Sequence, residues 1–245
     1  LARNHQYLGV NEAVKVYEAR KLNNGKLGVF WHTQGSGKSY SMVFRAQKIR
    51  RKFAGSPTIV VLTDRDELNK QISDTFENCG LLGKTKARQF IASSGEDLIQ
   101  KLNGNPSFIF TLIQKFNKSN PQPIYPDHDI LILSDEAHRS QYGIFADNMI
   151  ALLPTASRIG FTGTPLLSSD NITERTFGGY ISVYDFKRAV EDGATVPLYY
   201  ENRGDKIADL HNPEITDRIL DANRPIWTWI SRKSWSGNLR RKSIC

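Results

Sequence analysis

The sequence has few cysteines and no long apolar run. Cys79 and Cys245 are its two cysteines, and they lie far apart in a chain of 245 residues. A scaffold of several disulfides is therefore excluded, and we expect a reduced, cytoplasmic protein. No segment approaches the roughly eighteen consecutive apolar residues of a membrane span, and there is no basic leader followed by an apolar stretch. We therefore expect no membrane partner.

Acidic residues are absent from residues 223–245. This segment carries six basic residues and three of the four tryptophans, and without it 27 basic residues face 25 acidic ones. The formal net charge of +8 thereby falls to +2, so overall charge is no argument for nucleic-acid binding, which must rest on motifs. The change of composition at Asn223 predicts a separate basic, Trp-rich tail that is disordered or not native to the protein.

Short apolar segments alternate with helical periodicities along the rest of the chain. The predicted strands are LGVFWH, PTIVVLT, RQFIA (88–92), SFIFTL, ILILS and SRIGFTG, and the predicted helices cover 6–20, 38–52, 65–79, 95–103 and 143–153. Continuously apolar strands alternating with helices predict an α/β fold, with a mostly parallel sheet and helices on both faces. A helix over 183–193 and a strand over 196–202 extend the pattern.

A glycine-rich loop follows the first predicted strand. The segment QGSGKS (34–39) lies between that strand and a helix, which is where backbone N–H groups and a helix N-terminus bind polyphosphates. Lys38 is expected to reach the β and γ phosphates of ATP, and Ser39 to hold Mg²⁺. The generic motif has a glycine where this chain has His32, but that position is at the strand end. Taken alone, GSGKS would also fit a flexible surface turn.

Two adjacent carboxylates end the strand ILILS. Asp135 and Glu136 follow Ser134 directly, about a hundred residues after the glycine loop. An ATP hydrolase with such a loop needs one acid for the Mg²⁺ shell and another to orient or deprotonate the attacking water. Asp135 is predicted to take the first role and Glu136 the second. A lone Asp-Glu pair would instead be read as a solvated strand end.

Five segments in order resemble the motor subunits of type I restriction enzymes, which are superfamily 2 helicase-like translocases. They are HTQGSGKS (32–39), TDRDELNKQ (63–71), FTLIQKF (110–116), SDEAHRSQYG (134–143) and GFTGTPL (160–166). The resemblance extends from Arg3 to about Ala222. It implies a P-loop RecA-like lobe over 1–180 and a link toward a second lobe over 181–222, with the tail over 223–245. Since phosphate loops of this superfamily commonly lack the first glycine, His32 does not depart from the family.

The resemblance also assigns roles to further residues. Arg3 and Gln6, in the segment RNHQ, look like the adenine-reading contacts. The remaining nucleotide contacts would be Thr33, Gln34, Gly35, Ser36, Gly37, Lys38, Ser39 and Tyr40. DNA contacts would come from Arg65, Thr111, Gln114 and Lys115. Coupling of hydrolysis to DNA movement would involve His138, Thr162, Gly163 and Thr164, with Pro165 fixing the turn that follows.

The sequence therefore predicts the first motor lobe of a type I restriction endonuclease subunit, binding Mg·ATP and duplex DNA. In the family, this subunit works with methylase and specificity subunits, and a nuclease domain and a second lobe flank the first. We expect the chain alone to be nearly inactive. The alternatives are a superfamily 2 RNA or DNA helicase lobe and a non-catalytic nucleotide-binding module. A P-loop kinase would share GSGKS but lack the DEAH and TGT segments.

Overall fold

Six parallel strands form the sheet in the part of the chain that the structure describes. The computed structural model describes residues 2–118, 120–136, 142–164 and 171–197. The strands are β1 (Lys26–His32), β2 (Thr58–Thr63), β3 (Phe108–Leu112), β4 (Ile130–Ser134), β5 (Ser157–Thr162) and β6 (Tyr180–Tyr184). Their order across the sheet is β3-β2-β4-β5-β1-β6, and every pair is parallel.

Helices cover both faces of this sheet. They are α1 (Asn4–Glu18), α2 (Lys38–Lys52), α3 (Asp66–Asn78), α4 (Gly95–Asn103), α5 (Tyr142–Leu152), α6 (Asn171–Phe177) and α7 (Phe186–Glu191). Alternate side chains of β2 enter opposite cores, since successive strand residues point to opposite faces. Ile59 belongs to the core that includes Met42 of α2, whereas Val60 belongs to the core that includes Leu98 of α4. The predicted α/β class is confirmed.

The predicted strand over 88–92 was wrong. Residues Ala87–Gln89 form a 3₁₀ helix instead, and Ile91 makes one isolated bridge to Phe110 of β3. The segment therefore touches the edge of the sheet without extending it. Helix α4 begins soon afterwards at Gly95, where the Ser94 side chain accepts a hydrogen bond from the N–H of Asp97 at 3.1 Å. Between the 3₁₀ helix and this cap, only residues 90–93 remain outside a helix.

The predicted helix over 183–193 was wrong at its start. Residues Tyr180–Tyr184 pair with β1 as strand β6, and α7 begins only at Phe186. Asp185 separates the two elements because its carboxylate accepts a hydrogen bond from the N–H of Arg188 at 2.9 Å, which is an N-cap. The compact unit that contains the sheet extends to Pro197, and the predicted division of the chain after residues 180 and 222 stays a prediction.

Candidate nucleotide-binding site

The glycine loop connects β1 to α2 at the carboxyl edge of the sheet. Gly35 has a φ of 80° and Gly37 a φ of 84°, a backbone region that residues with a Cβ rarely adopt. A Cβ atom on Gly37 would also lie 2.7 Å from Nε2 of Gln6. Both glycines are therefore required by the loop. The loop leads into α2 at Lys38, so the N-terminal N–H groups of that helix face the same space.

His32 is a buried strand residue and not a member of the loop. Its ring centroid lies 3.9 Å from that of Phe30, and its Nε2 lies 2.8 Å from Oγ of Ser182 on β6. Burial lowers the pKa of His32 from 6.5 to about 3, with smaller contributions from His5 and Lys38. A glycine here would remove these packing contacts and the bond to Ser182.

The two adjacent carboxylates lie directly after β4. Asp135 is 7% exposed, and its N–H donates to the carbonyl of Leu62 at 2.8 Å. Burial raises the pKa of the Asp135 carboxyl from 3.8 to about 6; the negative charge of Glu136 adds to this, whereas Lys38 opposes it. Glu136 has a φ of 51°, in the left-handed region. Such a backbone is uncommon outside glycine and often marks a functional position.

The turn after β5 brings a third strand end to the same place. A Cβ atom on Gly163 would lie 3.1 Å from Nζ of Lys38, 3.6 Å from the backbone N of Gln34 and 3.9 Å from Oε1 of Glu136. The loop, the acidic strand end and the TGT turn therefore converge around Gly163. Thr162 closes that turn, because its Oγ1 accepts from the N–H of Thr164 at 3.2 Å.

The start of α1 packs against the loop. Nε2 of Gln6 donates to the Gly37 carbonyl at 3.0 Å, and Oε1 of Gln6 accepts from the N–H of Arg3 at 2.9 Å. This places the segment predicted to read adenine beside the phosphate loop. An adenine contact by Gln6 would use its remaining amide N–H or replace one of these bonds.

The predicted DNA contacts differ in their accessibility. Arg65 is exposed at the N-cap of α3. Gln114 donates to the carbonyl of Asp64 at 2.8 Å, and Lys115 donates to the carbonyl of Ala92. Thr111 is fully buried on β3, so its hydroxyl does not face the surface, which argues against the predicted DNA contact. The apolar residues around Thr111 in the strand FIFTL indicate that this position is buried.

Other predicted residues lie outside the described ranges. These are His138, Pro165, most of the predicted strand over 196–202, and the tail from Asn223. The sequence did not predict a role for His5 or Tyr184. The His5 side chain bonds the Ser36 carbonyl, and the Tyr184 carbonyl accepts from the N–H of Thr33. His5 belongs to the segment RNHQ that was predicted to read adenine, so that segment could have indicated it, whereas no sequence pattern indicates a role for Tyr184.

The residues present fit a magnesium-bound polyphosphate. Among the described residues, the buried Ser36 hydroxyl has no hydrogen-bond partner, and Lys38 is the positive charge of the loop. No group of three or more His, Cys, Asp or Glu side chains in the described ranges is arranged as a metal site. Mg²⁺ typically uses one or two carboxylates together with substrate phosphates and waters. Ser39 and Asp135 are of the right chemistry for that partial set.

A glycine loop between a strand and a helix, facing an acidic strand end in a parallel sheet, defines a P-loop lobe of the RecA-like class. The chain belongs to the SWI2/SNF2 ATPase family, which matches residues 5–225. No described helix has the length and apolar character to cross a membrane.

Among known proteins, the chain is similar to endonuclease subunits of type I restriction enzymes. It is 42% identical to the HindI subunit of Haemophilus influenzae over 82% of this chain and 21% of that protein. It is 36% identical to the putative MjaIXP subunit of Methanocaldococcus jannaschii over 92% of this chain and 22% of that protein. The chain thus spans about a fifth of these relatives.

A solved structure shares the fold. It is a nuclease-deletion mutant of the Type ISP restriction-modification enzyme LlaGI in complex with a DNA substrate mimic. The TM-score is 0.56 at 17% identity, covering 93% of this chain and 23% of that one. The predicted family resemblance is confirmed by these comparisons.

Proposed function

We propose that this chain is the ATP-binding motor lobe of a type I restriction endonuclease subunit, and that the complete enzyme uses ATP hydrolysis to move duplex DNA before cleavage. The observation that carries the proposal is the convergence of Lys38, Gln34 and Glu136 around Gly163. It joins the loop, the acidic pair and the TGT turn in one site, as a coupled ATP hydrolase requires. The similarity to type I endonuclease subunits supports the DNA substrate.

The chain's own residues have distinct roles in this proposal. The N–H groups of the loop and the Lys38 ammonium bind the phosphates, and Ser39 and Asp135 hold Mg²⁺. The metal, when bound, neutralises charge on the β and γ phosphates. Glu136 orients the attacking water and accepts its proton. Asp135 binds the metal as a carboxylate, so its raised pKa favours binding above about pH 6.

DNA would bind along the surface near the N-terminus of α3. Arg65 is the exposed candidate contact, whereas Gln114 and Lys115 are half-buried. Gln114 donates to the carbonyl of Asp64 and so ties the two predicted DNA-contacting segments together, whereas Lys115 donates to the carbonyl of Ala92, outside both segments. In the complete enzyme, the methylase and specificity subunits would select the DNA sequence.

The decisive experiment measures Mg·ATP binding to the purified chain by calorimetry. Lys38→Ala should abolish tight binding, because the phosphates lose the loop's ammonium. Lys84→Ala is the matched control, since Lys84 is exposed outside the loop. Equal affinity of the wild type and Lys38→Ala would overturn the phosphate-loop assignment. Affinities for duplex DNA and single-stranded RNA, compared at matched salt, test the alternative of an RNA helicase lobe.

A further inference from the structure

Two neighbouring side chains of α1 bind two successive carbonyls of the phosphate loop. Nε2 of His5 lies 2.9 Å from the carbonyl oxygen of Ser36, and Nε2 of Gln6 donates to that of Gly37 at 3.0 Å. A carbonyl oxygen only accepts, so Nε2 of His5 carries the donated proton. In a trans peptide, the C=O and the following N–H point in opposite directions. The N–H groups of Gly37 and Lys38 therefore point away from α1.

Tyr184 holds His5 in this position and also contacts the start of the loop. The rings of His5 and Tyr184 are stacked, with centroids 3.8 Å apart and an interplanar angle of 12°. The carbonyl of Tyr184 accepts from the N–H of Thr33 at 2.9 Å. The Tyr184 hydroxyl donates to Oδ2 of Asp192 at 2.9 Å, and the residue is 1% exposed. The Tyr184 ring thus has little freedom to move.

The residues after α7 reach the loop as well. A Cβ atom on Gly35 would lie 3.5 Å from Cγ2 of Thr195, which is an ordinary contact distance. Gly35 is therefore flanked by this segment, whereas Ser36 is bound by α1. The loop therefore lies between α1 and the segment after α7, which are distant in sequence. Tyr184 of β6 connects β6 to α1, because its ring stacks on His5.

The geometry points to His5 and Tyr184 as a positioning pair for the phosphate-binding loop. His5 directs the Ser36–Gly37 peptide so that its N–H faces the nucleotide, and the Tyr184 ring holds the His5 imidazole in the orientation that makes this bond. Neither side chain touches the reacting atoms. The inference rests on the proposed function, because it assumes that the loop binds the phosphates of ATP.

Two substitutions of His5 separate the hydrogen bond from the ring stack. Phe keeps an aromatic ring against Tyr184 but cannot donate, whereas Gln can donate an N–H without the ring. In the full chain, His5→Phe should bind Mg·ATP about three- to tenfold more weakly, the usual size of one lost hydrogen bond. His5→Gln should restore part of this loss, because its amide can donate to the Ser36 carbonyl but is not held by the stack on Tyr184. If His5→Phe does not fold, His5→Ala is measured instead, with the same expected loss, because it needs no additional room.

A double-mutant cycle tests the role of Tyr184. Tyr184→Leu should weaken Mg·ATP binding to a similar extent, and the double variant with His5→Phe should lose less than the product of the two single effects, because both act through one contact. Tyr7→Leu is the control, since Tyr7 lies on the exposed face of α1. Thermal unfolding of each variant is recorded alongside.

The outcomes distinguish this inference from the proposed function. No Mg·ATP binding by the wild type would overturn the proposed function itself. Wild-type binding together with unchanged affinity in His5→Phe, or in His5→Ala if that variant replaces it, would overturn only the positioning pair. Equal losses in His5→Phe and His5→Gln would also overturn it, since a purely structural role for His5 predicts no rescue by a donor.

Discussion

Nζ of Lys38 lies 3.1 Å from the position that a Cβ atom would occupy on Gly163. Lys38 begins α2 directly after the glycine loop, whereas Gly163 lies in the turn after β5, and β5 is the sheet neighbour of β1. The Lys38 ammonium therefore fits in this position because Gly163, in the TGT turn, has no side chain. A movement of this turn would alter the space for the ammonium, which gives the turn a direct physical route to the phosphate site.

Gly163→Ala should weaken Mg·ATP binding about tenfold while leaving the fold intact. The added methyl group displaces the far end of a flexible side chain, and Gly163 does not have the positive φ that would strain alanine. Calorimetry and thermal unfolding measure the two effects. Gly104→Ala is the control, because its nearest atoms would be 3.5 Å away, in ordinary contact. Undiminished affinity in Gly163→Ala would mean that Lys38 finds an equally good position.

Glu136→Gln should separate nucleotide binding from turnover. The amide is similar in size to the carboxylate but cannot accept the proton of the attacking water, so turnover should fall by about 10² to 10⁴. The measurement is made in an intact relative, by replacing the carboxylate that corresponds to Glu136. Mg·ATP affinity should change by less than about threefold. Turnover close to that of the unchanged enzyme would assign the base to another residue.

The chain itself should bind Mg·ATP but hydrolyse it very slowly, with or without DNA. In ATPases of this kind, an arginine from a facing lobe contributes about 10³ to 10⁵ in rate, which is roughly 4 to 7 kcal/mol of transition-state stabilisation. The resemblance places that arginine in a second lobe. Phosphate release is the assay. DNA-dependent turnover near the usual enzyme median of about ten per second would show that two copies of the chain, or an unrecognised arginine, complete the site.

His32 should make the chain sensitive to acid. Burial lowers the pKa of His32 from 6.5 to about 3 in the folded chain. His32 is therefore protonated near pH 6.5 in the unfolded chain but only near pH 3 in the folded chain. Stability is therefore fully present above pH 6.5 and falls as the pH falls toward 3. Asp135 acts in the opposite direction, because its folded pKa of about 6 exceeds 3.8.

Comparison of the wild type with His32→Gln isolates the histidine, since Asp135 is common to both. Between pH 7.5 and 5, the wild type should lose about 2 kcal/mol more free energy of unfolding than His32→Gln. Urea unfolding at each pH measures this difference. Parallel pH profiles would show that His32 is protonated in the folded state at the same pH as in the unfolded chain.

Arg45→Met should stabilise the chain. Arg45 of α2 is fully buried, and its Nη2 donates a long hydrogen bond of 3.5 Å to the Ala13 carbonyl of α1. Burial lowers the pKa of Arg45 well below its ordinary value, to about 9, which reflects the cost of the buried charge. Met has a similar length without charge, so we expect a gain of about 1 to 3 kcal/mol in the free energy of unfolding. A loss of stability would show that the guanidinium has partners stronger than this bond.

The predicted elements succeeded where local signals were strong. Strand β4 and helix α4 were predicted with the bounds that the structure has, because ILILS is uniformly apolar and Ser94 followed by acidic residues marks a helix start. The glycine loop and the Asp-Glu pair were likewise readable, since their chemistry lies in consecutive residues. The strand predicted over 88–92 failed because Ala87–Gln89 form a 3₁₀ helix, so that only a single bridge, Ile91 to Phe110 of β3, forms at the edge of the sheet; a short apolar pattern does not distinguish such a bridge from a strand.

The amino-acid sequence by itself determined the class of fold, the loop and the acidic pair, because backbone conformation and short-range spacing specify them. The tertiary structure decided which residues meet. It placed Gly163 against Lys38, buried Thr111, and stacked His5 on Tyr184 across 179 positions of sequence. These contacts depend on the strand order, in which β1 lies between β5 and β6. That order results from the packing of all six strands and their helices together, so no local segment of the chain encodes it.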